Sequence, residues 1–395
     1  MAWKDRLLGA ATSVEDRLDR LKRHLAARGE RDDPLHVVPF RGFGNRDGAW
    51  LCARVLYDQG VGTQGPADSL WDNVLNAWRR LESDEVPGVR VAARWGGAEV
   101  LATSDGEGYL ELHLPTPPSL AADTAWHRVE LETLALPPRL AARGPAPGDR
   151  LTAVGEVLVP PPGARFLVIS DVDDTVLQTG ATSKLAMARN VFLHNAHTRL
   201  PFHGVGAFYG ALHRAAPGGA TNPLFYVSSS PWNLYDLLEE FFALHGLPPG
   251  PLLLRDLGLD RRKLIQSSHD SHKLEQIRRV LETYPELPAI LLGDSGQRDP
   301  EIYRRVLDDH PGRVLAIYLR DVVTGEARDR EVHALAREAE ALDVPMLLVA
   351  DTVAAARHAA AKGWIAEADL EAVRAERERD EARPTPEKAA VEAST

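Results

Sequence analysis

Four short polar clusters between residues 171 and 299 carry the side chains best suited to chemistry. Asp171-Val172-Asp173-Asp174-Thr175 follows an apolar run at 166–170, and Ser228-Ser229-Ser230 follows another at 224–227. Lys273 stands where a helix should open, and Gly293-Asp294-Ser295-Gly296-Gln297-Arg298-Asp299 follows the run at 288–292. This set fits phosphoryl transfer. A carboxylate can attack phosphorus and split one hard displacement into two easier ones. Two anions then meet, so a cation must screen them; Mg²⁺ suits an all-oxygen site of carboxylates, a carbonyl and waters. If Asp171 ends a strand pointing into a crevice, Asp173 points in too, while Val172 points away. Asp173 can then protonate the leaving alkoxide and later activate water. Ser228 and nearby N–H groups can hold phosphate oxygens, and Lys273 can neutralise the transferred group. Thr175, Ser229 and Ser230 are further candidates for substrate contact.

Each cluster alone has a plainer reading. Asp-rich turns are common after strands and often cap helices. A lone serine at a strand end, or a lone lysine, means little. Order and placement give the set its weight, because each member falls at a strand end or a helix start of one repeating pattern.

That pattern supplies the elements that must position the clusters. Short, nearly continuous apolar runs at 166–170, 224–227, 252–254, 288–292, 314–319 and 346–350 are separated by helical segments. Such runs predict a parallel sheet covered on both faces. Ligands of open α/β sheets bind beyond the carboxyl ends of the strands, which is where the clusters fall. Residues 36–160 read differently. Leu110, Leu112 and Leu114 alternate with polar neighbours, as do Val129 and Leu131, and Val89, Val91, Ala93 and Trp95. Period two predicts half-buried antiparallel strands, and a small all-β, sandwich-like domain is the expectation. One helix interrupts it, with Leu70, Val74, Trp78 and Leu81 on one face. Pro160-Pro161-Pro162-Gly163 marks the boundary. The expected organisation is a helix within 1–30, the β domain at 36–160, the α/β domain at 164–365 and a charged, partly disordered tail at 366–395.

The motifs resemble the haloacid dehalogenase superfamily of phosphotransferases. That resemblance implies a Rossmann-like sheet with Asp171 as nucleophile and Asp173 as general acid/base. It also implies Mg²⁺ held by the Asp171 carboxylate, the Asp173 carbonyl and Asp294, with Asp299 in support, and a phosphoryl group held by Ser228 and Lys273. An acid at 173 is what distinguishes the phosphatases, since the transport ATPases carry threonine there. A narrower resemblance rests on VISDVDDTV, FYVSSSPWNLYD, KLEQI, GDSGQRDPEIY and the early PFRGFG. These strings look like the family of the fungal actin-patch phosphatidate phosphatase and its bacterial relatives. The substrate so implied is phosphatidate, cleaved to diacylglycerol and phosphate.

The segment between the first Asp motif and Ser228 is where this superfamily often inserts a lid. Here it holds a helix around 184–192 and a loop, so only a minimal cap is expected. His194, His197, Arg199 and His203 in it, with His269 and His272 beside Lys273, are either substrate contacts or solvated polar residues. No His/Cys spacing matches a zinc site. The net charge of −11 argues against sequence-independent nucleic-acid binding over the whole surface. A single cysteine, Cys52, forms no internal disulfide, and the first residues are charged and helix-patterned rather than a secretory signal, so a cytoplasmic location is expected. Leu7, Ala11, Val14, Leu18, Leu21 and Leu25 repeat at about 3.5 residues, a seam for packing within the chain or for pairing with a second copy. Trp3 and the basic residues beside the seam leave open a helix lying on a membrane surface. Three functional readings stand at this level: a phosphatidate phosphatase at a membrane, the same chemistry on a phosphoprotein or soluble phosphomonoester, and an interaction module with a vestigial phosphatase domain.

Overall fold

The computed structural model describes residues 35–57, 86–121, 123–136, 150–172, 175–176, 203–214, 217–255, 269–322 and 325–382. The expected helices at 3–28, 70–81 and 184–192 lie outside these residues, as do His194, His197, Arg199, Asp173 and Asp174.

Six parallel strands form the sheet of the second half: β9 (Leu167–Asp171), β10 (Leu224–Pro231), β11 (Leu252–Arg255), β12 (Ala289–Asp294), β13 (Val314–Arg320) and β14 (Met346–Val349). Their order across the sheet is β11-β10-β9-β12-β13-β14. Counted within the domain this is 3-2-1-4-5-6, so the direction of winding reverses between β9 and β12 and opens a crevice there. Every residue of β9 and β12 is buried, which is why neither strand shows alternation in its sequence. Helices α1 (Val205–Arg214), α6 (Thr352–Ala361) and α7 (Asp369–Ala382) pack together as one layer. Helices α3 (His269–Thr283), α4 (Asp299–Asp309) and α5 (Glu326–Glu340) form the other, and α2 (Tyr235–Leu244) follows β10.

Helix α7 falls in the stretch expected to fray. Two of its acids instead satisfy free N–H groups at the start of α1: Asp380 accepts from Gly204 at 2.9 Å, and Glu376 accepts from Ala207. Carboxylates are favoured at a helix N-terminus by its partial positive charge and unpaired donors. Arg377 adds a 2.7 Å pair with Asp351, the residue that caps α6.

Among the described residues the first half is all β: β1 (Leu35–Pro39), β2 (Gly42–Gly44), β3 (Ala49–Tyr57), β4 (Arg90–Trp95), β5 (Ala98–Thr103), β6 (Tyr109–Leu114), β7 (Trp126–Ala135) and β8 (Thr152–Leu158). Alternation predicts two facing sheets. The hydrogen bonding instead makes one sheet, β1-β3-β2-β8-β7-β4-β5, with β6 on the other edge of β3. Two features cause this. The nine-residue β3 pairs β1 and β2 in turn along one edge, and the short parallel β2–β8 contact joins the two halves. The sheet then curls until β5 lies beside β6, around one core that includes Leu51, Val55, Val91, Leu112, Leu131 and Val157.

The two halves meet through aromatic rings. Phe40 stacks on Trp232 with centroids 4.7 Å apart, and Phe43 meets Phe225 edge to face at 5.4 Å. Arg41 pairs with Glu239, and its backbone N–H donates to the Tyr235 hydroxyl at 2.9 Å. Gly42 lets this segment lie close on β3: a Cβ there would lie 2.2 Å from the Trp50 carbonyl oxygen. The PFRGFG string therefore lies at the seam between the halves.

Candidate active site

Asp171 ends β9 and Asp294 ends β12, on either side of the point where the winding reverses. Asp299 opens α4. One oxygen from each of these three carboxylates lies within 4.8 Å of the others, and all three residues are buried. Lys273, on α3, reaches in from the side. Its ammonium is 2.7 Å from Asp171 Oδ1 and also donates to Asp299 Oδ1. Burial alone would push the Lys273 pKa down; Asp171 and Asp299 more than reverse that, and the net direction is up. Lys273 is therefore a fixed cation. Three buried carboxylates face this one buried ammonium. Buried charge is costly unless paired, so the all-oxygen set has the character of a divalent-cation site. Asp171 and Asp294 fit as ligands. Both oxygens of Asp299 are engaged, Oδ1 by Lys273 and Oδ2 by the Asp294 N–H at 3.1 Å, so its part is to hold those two in place.

Gly293 makes that hold feasible. A Cβ at this position would sit 2.5 Å from Asp299 Oδ2, so the Gly-Asp pair is a requirement of close approach. The turn after it is tied down twice. Asp294 Oδ1 accepts the Gln297 N–H at 2.7 Å, and Arg328 of α5 donates to the carbonyls of Ser295 (3.0 Å) and Gln297 while pairing with Glu301.

The strand end at Asp171 has its own support. Tyr209 of α1 is 2.7 Å from Ser170 Oγ, which donates to the Asp171 carbonyl at 2.7 Å; Tyr209 is therefore the donor in the first bond. Burial, then the neighbouring Asp171, raise the Tyr209 pKa against the opposing pull of Ser170 and Arg320, so it stays a neutral phenol. Thr175 is buried and donates to Asp171 Oδ2 over a long 3.4 Å. That contact orients the Asp171 carboxylate.

Ser228 directly follows Val227, the register partner of Asp171. It is fully buried, while Ser229 and Ser230 are half-buried. The Ser230 N–H donates to Ser228 Oγ at 2.9 Å, and the pairing of β10 with β11 shifts register between Val227 and Pro231. The three serines thus form a bulge at the crevice mouth. His203 lies at the base of α1, its ring 3.9 Å from Glu381 of α7. His272 is half-buried on α3 beside Lys273.

Several supporting residues carried no signal in the sequence. Arg320 ends β13 as the register partner of Asp294, half-buried at the same rim and near enough to Tyr209 to affect its pKa. An arginine at a strand end could have been noted by the rule that drew attention to the serines. Arg328, in the first turn of α5, and Tyr209, in the middle of α1, could not.

The geometry defines a class: a doubly wound parallel sheet with a buried Asp-Lys-Asp-Asp cluster at its switch point. The comparisons narrow it. Residues 166–321 match the family described as phosphatidate phosphatase APP1, catalytic domain, and they resemble that domain. The phosphatidate phosphatase APP1 of Saccharomyces cerevisiae is 36% identical over 154 residues, which is 39% of this chain and 25% of the yeast protein. An uncharacterized protein of Schizosaccharomyces pombe is 26% identical over 158 residues, 40% of this chain and 25% of that protein. The matches span about a quarter of the length of these curated relatives. A solved carbohydrate acetylesterase of Xanthomonas citri aligns with 78% of this chain and 66% of its own at 11% identity; its TM-score of 0.26 carries no argument.

Proposed function

We propose that this chain is a Mg²⁺-dependent phosphoric monoester hydrolase of haloacid dehalogenase type that works through an aspartyl-phosphate on Asp171. The observation that carries this reading is the buried Asp171 carboxylate at the end of β9, 2.7 Å from a fixed cation and across the switch point from Asp294. The strand order 3-2-1-4-5-6 supports the fold assignment. An Asp171 oxygen attacks phosphorus and the ester P–O bond breaks. The leaving alkoxide takes its proton from the Asp173 carboxyl. Asp173 then accepts a proton from water as the water oxygen attacks phosphorus, and the bond from phosphorus to Asp171 breaks. Phosphate is released and both carboxylates return to their starting state. Lys273 balances the Asp171 charge at rest and the equatorial oxygens during transfer. Asp171, Asp294 and the Asp173 carbonyl would hold Mg²⁺, which supplies charge neutralisation at the phosphoryl oxygens. Ser228, Ser229 and the N–H groups of the bulge receive the phosphate.

Phosphatidate is the proposed substrate, because the yeast relative matched over this domain is a phosphatidate phosphatase. The test is phosphate release from phosphatidate in detergent micelles beside a soluble aryl phosphate, with Mg²⁺ and with chelator. Metal-dependent release from the lipid at the higher kcat/KM is expected. Release from the aryl phosphate alone would keep the chemistry and discard the lipid.

A further inference from the structure

The serine bulge is held at both ends by its own sheet, where Val227 pairs with Asp171 and Pro231 with Arg255, and its downstream end is also braced from the other domain. Upstream, Val227 is locked into the parallel ladder opposite Asp171, with its carbonyl accepting the Val172 N–H at 3.2 Å. Downstream, the chain passes through Pro231 into the single helical turn Trp232–Leu234. Trp232 is buried there by rings from the β domain. Phe40 stacks on it at 4.7 Å with planes 24° apart, and Trp50 lies at 6.3 Å. Phe40 also packs on Tyr235 at 4.6 Å, and the Arg41 N–H fixes the Tyr235 hydroxyl. Phe40 is itself held, since its N–H donates to the Cys52 carbonyl at 2.9 Å.

From this geometry we infer that the β domain is a working part of the active site: Phe40, through Trp232, positions the Ser228–Ser230 bulge for phosphate. Phe40 touches no reacting group and is a positioning residue. Between Val227 and Pro231 the pairing with β11 shifts register, so the shape of the bulge follows how its two ends are held. Loosening the brace on Trp232 displaces the serines while leaving Asp171, Lys273 and Asp294 on their strands and helix. The inference rests on the reading of Ser228 as a phosphate ligand.

The experiment is calorimetric titration of the full chain with inorganic phosphate at saturating Mg²⁺, with kcat and KM on an aryl phosphate and a melting curve for each variant. Phe40→Ala should weaken phosphate binding and raise KM by about 10- to 100-fold, as small displacements of positioned groups do. Phe40→Tyr, which keeps the ring, should restore both. Phe40→Leu keeps much of the apolar volume and serves if the alanine variant does not fold; it should still bind phosphate weakly. Phe43→Leu loosens the same seam at mid-strand Phe225 and should lower the melting temperature without weakening phosphate. Wild-type affinity in folded Phe40→Ala and Phe40→Leu would overturn the inference, as would equal loss in Phe43→Leu. A wild-type chain that neither binds nor releases phosphate would overturn the functional reading, and this inference with it.

Discussion

The two arms of the crevice are held in different ways. The Asp294 arm is supported from within its own sheet domain. Gly293 lets Asp299 approach, Asp299 accepts from the Asp294 N–H, and Arg328 clamps the next turn. The Ser228 arm depends on side chains almost two hundred residues earlier, in a domain of different architecture. The arm that holds the fixed charges is thus self-contained, while the arm that would receive the substrate depends on the interface. Substrate capture can then respond to whatever touches the β domain, with the charged centre left intact.

The largest expected effect removes the buried cation beside Asp171 and Asp299. Lys273→Met should lower kcat by about 10²- to 10³-fold. It should also destabilise the fold by about 3–5 kcal/mol, because the buried carboxylates lose their cation. Chemical denaturation beside steady-state kinetics checks both; a variant of unchanged stability would contradict the charge balance described here. Gly293→Ala comes next. It forces Asp299 away from Asp294, so it should cost about 1–3 kcal/mol and most of the turnover. Arg328→Ala acts on the self-contained arm alone and should raise the Mg²⁺ concentration for half-maximal activity about 10-fold, as outer-shell losses do. Phe40→Ala should leave that concentration unchanged. The smallest effect sharpens the contrast most: combining Arg328→Ala with Phe40→Ala should give losses in kcat/KM that add within about 0.5 kcal/mol, the behaviour of independent sites. Strong coupling would mean that the arms act as one unit.

The same contrast governs what could be read from the sequence. All six parallel strands fall on the apolar runs, because strands buried on both faces need continuous apolar residues. Asp171, Ser228, Lys273 and Asp294 were legible because strand ends and helix starts are local features. Their supports were not. Phe40 and Trp232 both lie in strings that carry the family resemblance, but nothing in the sequence ties one to the other, and their stacking exists only in the tertiary structure. Helix α7 looked like a fraying tail because its composition is charged; Glu376 and Asp380 acquire partners only when α1 presents its free N–H groups. Of the β domain, the alternating strands β4, β6 and β7 were legible one by one. Its single curled sheet was not, since a two-residue parallel contact between β2 and β8 leaves no periodic trace.

The central claim is that phosphate passes through Asp171. The most direct test is a rapid acid quench of the wild-type chain turning over an aryl phosphate or phosphatidate micelles with Mg²⁺, followed by borohydride reduction and peptide mass analysis. A reduced residue at position 171, formed only with substrate and absent from Asp171→Asn, is expected. Sustained turnover by Asp171→Asn, or trapping at another carboxylate, would contradict it.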